Sequence, residues 1–228
     1  MTEIIPYGDK AVLVKFGNKI NLKINALVHS FDALLAKKKI EGVIESIPAY
    51  SSVTVIYDPK ILDFNSLAKE LKTLLKKGRH FHSDFHNESI EIPVVYGGSY
   101  GPDLEFVAQY NNLSPQEVVK IHTSREYVVY MVGFTPGFAY LGGMSSKIAT
   151  PRLSNPRESV PAGSVGIGGS QTGIYPIESP GGWRIIGRTP LKLFNMQKEP
   201  PVLLKPGMKV KFVSIDESEY QRVRESSE

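Results

Sequence analysis

The sequence predicts an α+β protein with two domains, 1–86 and 87–228. Three observations lead to this prediction. Up to about residue 90, strand-like and helix-like hydrophobic patterns alternate. Beyond residue 126, short β-rich runs follow one another between glycine and proline turns. Between these halves, residues 80–89 are polar and show no periodicity, so we expect the domain boundary there.

Hydrophobic periodicity and helix caps predict the elements of the first domain. We expect strands at 11–16, 43–47, 53–57 and 90–96, and helices at 21–38 and 63–78. Asp63 is a typical N-cap for the second helix. The order βαββαβ is the split-βαβ, ferredoxin-like pattern, with both helices on one face of a small antiparallel sheet. The strand at 90–96 could instead begin the second domain, and the sequence leaves both options open.

The second domain begins with helices and continues with strands. We expect helices at 103–110 and 114–121, the latter opened by a Ser-Pro-Gln-Glu capping sequence. Strands are predicted at 127–132, 165–167, 173–176, 183–187, 191–194 and 209–214. Many short strands separated by Gly/Pro turns are typical of a closed barrel or a sandwich, and both stay open. The charged tail after Asp216 predicts a frayed helix.

The composition excludes several classes of protein. The chain has no cysteine, which excludes disulfides and thiolate chemistry, and it has no signal-like or membrane-spanning apolar run. We therefore expect a cytoplasmic protein that binds no membrane. The net charge of +4 comes largely from lysines at 37–39 and 76–77, near predicted helix ends. The helix pair 103–121 lacks a basic face, so we expect no nucleic-acid partner.

The segment from Gly133 to Trp183 has the strongest functional signal, with 11 Gly and 6 Pro in 51 residues. Aromatic and branched aliphatic side chains accompany the glycines, so the segment should be ordered. Glycines are needed where φ is positive or where another group approaches the backbone closely. We expect a binding surface of main-chain amides between apolar walls. The predicted substrate-binding residues are Phe134, Pro136, Phe138, Tyr140 and Trp183.

Residues 161–173 (PAGSVGIGGSQTG) form a candidate anion site. The run matches neither a Walker A loop nor the G-x-G-x-x-G fingerprint. Successive amides could still form an anion nest, and tight barrel turns are the alternative. The predicted anion- or nucleotide-binding residues are Gly163, Ser164, Gly166, Gly168, Gly169 and Gln171.

His122 and Arg152 are the candidate catalytic residues. His122 is the histidine within the second half and could serve as a general base, or be a buried hydrogen-bonded histidine. Arg152 and Arg157 suit a carboxylate or a phosphate, and Arg184 could face the same site, with simple surface solvation as the alternative. The run His80, His82 and His86 lies in the polar linker, so we expect no metal site there.

The motifs GFTPGFAYLGG (133–143), VPAGSVGIGG (160–169) and SPGGW (179–183) together resemble the family called KipI, allophanate hydrolase subunit 1 or 5-oxoprolinase subunit PxpB. The resemblance extends over essentially the whole chain. It implies an N-terminal ferredoxin-like domain followed by a cyclophilin-like β-barrel domain. It also implies a non-autonomous subunit that works with a PxpC/KipA-type and a PxpA-type subunit in an ATP-dependent 5-oxoprolinase, opening 5-oxoproline to L-glutamate.

The resemblance also bears on the site. ATP with Mg²⁺ would be needed to activate the stable lactam, and its site would be shared with the partner chain because no nucleotide motif is present here. The aromatic residues would enclose the ring carbons of 5-oxoproline. Other family members inhibit a sporulation histidine kinase by binding its dimerisation domain, or take part in allophanate and urea metabolism. These roles remain alternatives.

Overall fold

A computed structural model describes residues 2–78 and 88–226 of the chain, with the side chains of 77 and 78 excepted. The chain divides into two compact units, Met1–Phe85 and His86–Glu228. The predicted domain boundary and the histidines His80, His82 and His86 lie outside the described residues. Within the described residues, no helix is both long and apolar enough to cross a lipid bilayer.

The N-terminal unit is a four-stranded antiparallel sheet with two helices. Its elements are β1 (Glu3–Pro6), β2 (Ala11–Lys15), α1 (Leu22–Lys38), β3 (Val43–Pro48), β4 (Ser52–Tyr57) and α2 (Phe64–Gly78). The strand order is β1-β2-β4-β3. Asp63 caps α2 as predicted, accepting hydrogen bonds from the amides of Asn65 and Ser66 at 2.9 and 3.1 Å. The core forms where Leu67 and Leu71 of α2 pack with Val12 of the sheet.

The βαββαβ order is not confirmed. The fourth strand of this sheet is β1, which the sequence analysis missed, and the strand predicted at 90–96 belongs to the second unit. There it pairs in parallel with the strand Lys209–Ser214 from residue 89 to residue 94. Hydrogen bonding along six residue pairs fixes this strand in the second sheet, so the first sheet is completed by its own N-terminal hairpin.

The C-terminal unit is a closed seven-stranded barrel with helices. Its elements are β5 (Ser89–Tyr96), α3 (Leu104–Tyr110), α4 (Pro115–Thr123), β6 (Glu126–Val132), β7 (Ala139–Gly142), β8 (Arg157–Val160), β9 (Ser164–Gly168), β10 (Gln171–Ile174), β11 (Ser179–Gly181), β12 (Arg184–Arg188), β13 (Lys209–Ser214) and α5 (Glu217–Ser226). The barrel order is β10-β7-β6-β13-β5-β12-β9, and β9 pairs with β10 to close it. Of the two predicted options the structure is a barrel, consistent with the cyclophilin-like fold that the resemblance implies. Closure pairs every strand of the barrel on both sides.

The sequence analysis located most of this unit but not all of it. Ser114 begins α4 with the predicted capping box, since its hydroxyl accepts from the Glu117 amide and the Glu117 carboxylate accepts from the Ser114 amide. The predicted strand at 191–194 is wrong, because this segment forms only an isolated bridge from Phe194 to Val202. Strands β7, β8 and β11 were missed, because glycines and prolines that are typical of turns lie in or beside them.

Candidate functional site

Strands β9 and β10 have two different faces. Val165 and Ile167 of β9 point into the apolar core of the barrel. The alternate residues on the opposite face are glycines, and Gly166 lies directly across from Gly173 of β10. We call Gly166, Gly168 and Gly173 the glycine floor. The sequence therefore places a strip without side chains on one face of the barrel wall, because strand residues alternate between faces.

The indole of Trp183 lies on the glycine floor. A β-carbon added at Gly168 would lie 2.5 Å from the indole, and one at Gly173 would lie 3.1 Å from it. At Gly166 an added β-carbon would lie 3.1 Å from the Trp183 β-carbon. Trp183 is consequently only 5% exposed. These glycines are required by the close approach of an aromatic ring.

Further aromatic rings surround Trp183. Phe138 meets it edge to face with ring centroids 5.5 Å apart, and Tyr140 lies at 6.0 Å. Tyr175 meets Phe138 edge to face, with ring centroids 5.1 Å apart. Phe134 also contacts Phe138 edge to face, at 5.7 Å, but its side chain is 67% exposed and its φ is +75°. A positive φ is strained for an aromatic residue, and such strain concentrates at ligand-binding sites.

These rings line a cavity of about 280 Å³, which we call the aromatic pocket. Its lining residues are Phe134, Phe138, Tyr140, Arg152, Pro156, Tyr175, Pro180, Gly181, Gly182 and Trp183. The volume is close to the lower end of the range for small-molecule sites, about 300–1,000 Å³. The structure thus brings together four of the five predicted substrate-binding residues, together with Arg152. Pro136 is exposed and does not line the pocket.

Arg152 supplies the positive charge of the aromatic pocket. Its guanidinium carbon lies 5.5 Å from the centre of a Trp183 ring, within the range of a cation–π contact. In the described part of the chain it forms no ion pair. Burial raises the pKa of the Tyr140 and Tyr175 hydroxyls, and Arg152 opposes this only in part, so both hydroxyls stay neutral near pH 7. The pocket therefore offers apolar walls, neutral hydroxyls and one cation, which suits a small anionic ligand.

Arg157 and Arg184 do not share this role. Arg157 donates to Asp103 at 2.8 Å, and Arg184 approaches the same carboxylate at 3.9 Å. The second oxygen of Asp103 accepts the amide of Ile185 at 2.7 Å, and Arg157 also donates to the carbonyl oxygen of Trp183 at 3.4 Å. Asp103 is 6% exposed. This ion-paired group holds the start of β12, and with it Trp183, against helix α3.

His122 lies in the barrel core and does not line the aromatic pocket. Its ring is fully buried, with its centroid 4.4 Å from that of Phe212. Nδ1 is 2.8 Å from the Tyr96 hydroxyl and Nε2 is 3.0 Å from the Thr172 hydroxyl. Burial lowers the pKa of His122 to about 3. This placement supports the buried, hydrogen-bonded alternative, because both ring nitrogens already have partners and His122 is not among the residues that line the pocket.

The predicted anion nest does not form in the structure. The amides of Gly163, Ser164 and Gly169 donate to backbone carbonyl oxygens at 2.7, 3.2 and 2.8 Å. Gly166 and Gly168 lie within β9, which pairs with β10 on one side and β12 on the other. Gln171 continues this ladder opposite Gly168. The glycines serve barrel turns and the Trp183 contact, which is the alternative that the sequence left open.

Two site features escaped the sequence analysis. Tyr175 lines the aromatic pocket and lies within the glycine-rich segment, but it was not among the predicted site residues. Asp103, which positions Trp183, lies outside that segment. The alternation of Gly166 and Gly168 within one strand could have indicated a face against which a large ring packs. Among the described residues, no three His, Asp or Glu side chains are grouped so that they could hold a metal ion.

Comparison with known proteins identifies the family. The family model for the carboxyltransferase domain, subdomain C and D, matches residues 2–204. The chain is 48% identical to the 5-oxoprolinase B subunit of Bacillus subtilis, over 99% of this chain and 98% of the relative. It is 47% identical to the 5-oxoprolinase B subunit of Escherichia coli O157:H7, over 90% of this chain and 93% of the relative.

A solved structure agrees with this relationship. The crystal structure of the conserved uncharacterized protein PH0987 from Pyrococcus horikoshii is 53% identical to this chain and superimposes with a TM-score of 0.58. The match covers 96% of this chain and all of the other. Because of this likeness over nearly its full length, and because the family model matches residues 2–204, the chain belongs to the family of KipI, allophanate hydrolase subunit 1 and 5-oxoprolinase subunit PxpB.

Proposed function

We propose that this chain is the PxpB-type subunit of an ATP-dependent 5-oxoprolinase, which opens 5-oxoproline to L-glutamate. One observation carries the proposal: the 48% identity to a 5-oxoprolinase B subunit over 99% of this chain and 98% of the relative. At this identity and coverage, almost every segment of the relative has its counterpart here. Because the reaction consumes ATP, we expect the complex in the cytoplasm.

The aromatic pocket fits the shape and charge of the substrate. 5-Oxoproline is a small flat ring with one apolar edge, a lactam and a carboxylate. The ring carbons would lie against Trp183 and Phe138, and the carboxylate would meet the guanidinium of Arg152. The neutral hydroxyl of Tyr175 would donate a hydrogen bond to the lactam carbonyl, and Tyr140 would add to the polar part of the lining. Apolar walls with a few polar groups are the usual composition of such sites.

The pocket's residues explain why this subunit would not act alone. Arg152, Tyr140 and Tyr175 are the ionisable residues of the described lining, so no carboxylate or imidazole faces the ligand. Nor do the residues fit ATP with Mg²⁺, because the described lining has no carboxylate for the metal and the amides of Gly163, Ser164 and Gly169 already donate within the chain. This chain would bind and orient the lactam and exclude water. Partners of the PxpC/KipA and PxpA types would complete the site.

Reconstitution tests the proposal. The chain is purified alone and with its two partner subunits, and 5-oxoproline-dependent ATP hydrolysis and glutamate formation are measured. We expect turnover only when all subunits are present. Absence of 5-oxoproline-dependent turnover in every combination would overturn the proposal. Histidine kinase inhibition and an allophanate-related role stay predictions from the family resemblance.

A further inference from the structure

The buried contacts of His122 have a defined direction. The Thr172 hydroxyl donates its single hydrogen to the carbonyl oxygen of Gly166 at 2.9 Å. It can therefore only accept at its 3.0 Å contact with His122, so Nε2 carries the proton. Nδ1 is then the acceptor, and the Tyr96 hydroxyl donates to it at 2.8 Å. The hydrogen bonds thus assign the tautomer of His122.

The resulting chain of hydrogen bonds leaves none of these groups unpaired. It runs from the Tyr96 hydroxyl through His122 and Thr172 to the carbonyl oxygen of Gly166. Burial raises the pKa of Tyr96 well above its usual value, which keeps this hydroxyl a donor. In protonated His122 both ring nitrogens would donate, so the Tyr96 hydroxyl would have to turn and accept at Nδ1 instead of donating there. The neutral ring is therefore the form that this arrangement stabilises.

The network ends directly behind the aromatic pocket. Thr172 points into the barrel, where its cross-strand partner is Ile167 of the core. The next residue, Gly173, points to the opposite face and belongs to the glycine floor under Trp183. Gly166, whose carbonyl oxygen accepts the hydrogen bond from Thr172, lies against the Trp183 β-carbon on that same face. The inner hydrogen bonds and the outer ring contact thus share strands β9 and β10.

We propose that His122 is a positioning residue that, through Thr172 and the Gly166 carbonyl, holds the glycine floor and thereby fixes the ring of Trp183 in the aromatic pocket. The assignment of a ligand to this pocket rests on the proposed function. The position of the Trp183 ring in the free protein does not depend on that function. The positioning role of His122 and the proposed function can therefore be refuted separately.

A pair of variants at Thr172 tests the network. Thr172→Val keeps the shape and removes the hydroxyl, whereas Thr172→Ser keeps the hydroxyl and is the matched control. Trp183 is the single tryptophan of the chain, so its fluorescence reports the pocket alone. We expect quenching of Trp183 by acrylamide to rise at least about two-fold in the folded Val variant and to stay close to wild type in the Ser variant. Wild-type quenching in the Val variant, or an equal rise in both, would overturn the proposal.

A measurement on the wild-type protein does not depend on the folding of a variant. Nitrogen-15 NMR of the full chain reports which nitrogen of His122 carries a proton. We expect the Nε2–H form throughout pH 5–8, and a proton on Nδ1 anywhere in this range would overturn the proposal.

Kinetics of the reconstituted complex provide a third test. The variant Thr172→Val should raise KM for 5-oxoproline several-fold with kcat close to wild type. A fall in kcat at unchanged KM would contradict a positioning role. If the wild-type complex has no turnover but the quenching pattern holds, the proposed function fails and the network stands.

Discussion

The buried His122 should make the free energy of unfolding of the barrel depend on pH. Substituting His122 should remove this contribution. Its pKa is about 3 in the folded chain and about 6.5 in an unfolded one. Between these values the unfolded state binds the additional proton, so stability falls as pH falls. From pH 7 to pH 5, a single such group lowers the free energy of unfolding by about 2 kcal/mol, because the folded ring stays almost unprotonated at pH 5.

The perturbation is His122→Gln, which cannot titrate in this range. Its amide can donate to Thr172 and its carbonyl oxygen can accept from Tyr96, so the hydrogen bonds can be kept. We expect the variant to be less stable than wild type at pH 7, because glutamine fills the ring site imperfectly. The difference between the two should shrink by about 2 kcal/mol at pH 5, since only the wild type loses stability through this group.

Urea unfolding followed by Trp183 fluorescence measures both free energies. Trp183 lies in the C-terminal unit, so the signal follows the unit that contains His122. Other titrating groups are common to both proteins and cancel in the difference. A stability difference that is equal at pH 7 and pH 5, or larger at pH 5, would refute the buried neutral histidine on which this reasoning depends.

Three further changes act on the pocket and its supports. Arg152→Ala should raise KM for 5-oxoproline in the reconstituted complex by about 10–100-fold. Arg152→Lys should raise it by less, since an ammonium keeps the charge but loses the bidentate contact with the carboxylate. Equal KM values for wild type and both variants would contradict a contact between Arg152 and the substrate carboxylate. Gly168→Ala should cost about 1–3 kcal/mol of stability by forcing a methyl group against Trp183. Gly133→Ala is its control, because an added β-carbon there meets only a side-chain atom at 3.5 Å, and equal melting temperatures for the two variants would refute the glycine floor. Asp103→Asn should cost about 1–3 kcal/mol in urea unfolding, because an amide cannot accept from both of its present donors, and a stability equal to wild type would show that this carboxylate does not hold β12.

Local signals in the sequence located the helices well. Asp63 and Ser114 each cap a helix at the predicted position, because a cap depends on atoms within a few residues. Most aromatic residues of the pocket could also be predicted from the sequence, since they lie among closely spaced glycines. These features depend on near neighbours in the chain, and the sequence reports such neighbours directly.

Strand partners depend on distant residues, and here the sequence was insufficient. The strand at 90–96 has the same pattern whether it joins the first sheet or the second, and only its pairing with Lys209–Ser214 decides. The strand β7 was hidden because its sequence, Ala-Tyr-Leu-Gly, lies between glycine turns. Its identity comes from hydrogen bonds to β6 and β10 on either side.

The sequence by itself determined the mixed content of helices and strands, the ends of the helices, the family and most of the aromatic residues that line the pocket. Only the tertiary structure decided the direction in which each group faces. It turned Arg152 toward the pocket, paired Arg157 with Asp103, and placed His122 in the core. The physical reason is that burial and ion pairing arise between residues that lie tens of positions apart in the chain. A local sequence pattern does not specify which of these distant residues come into contact.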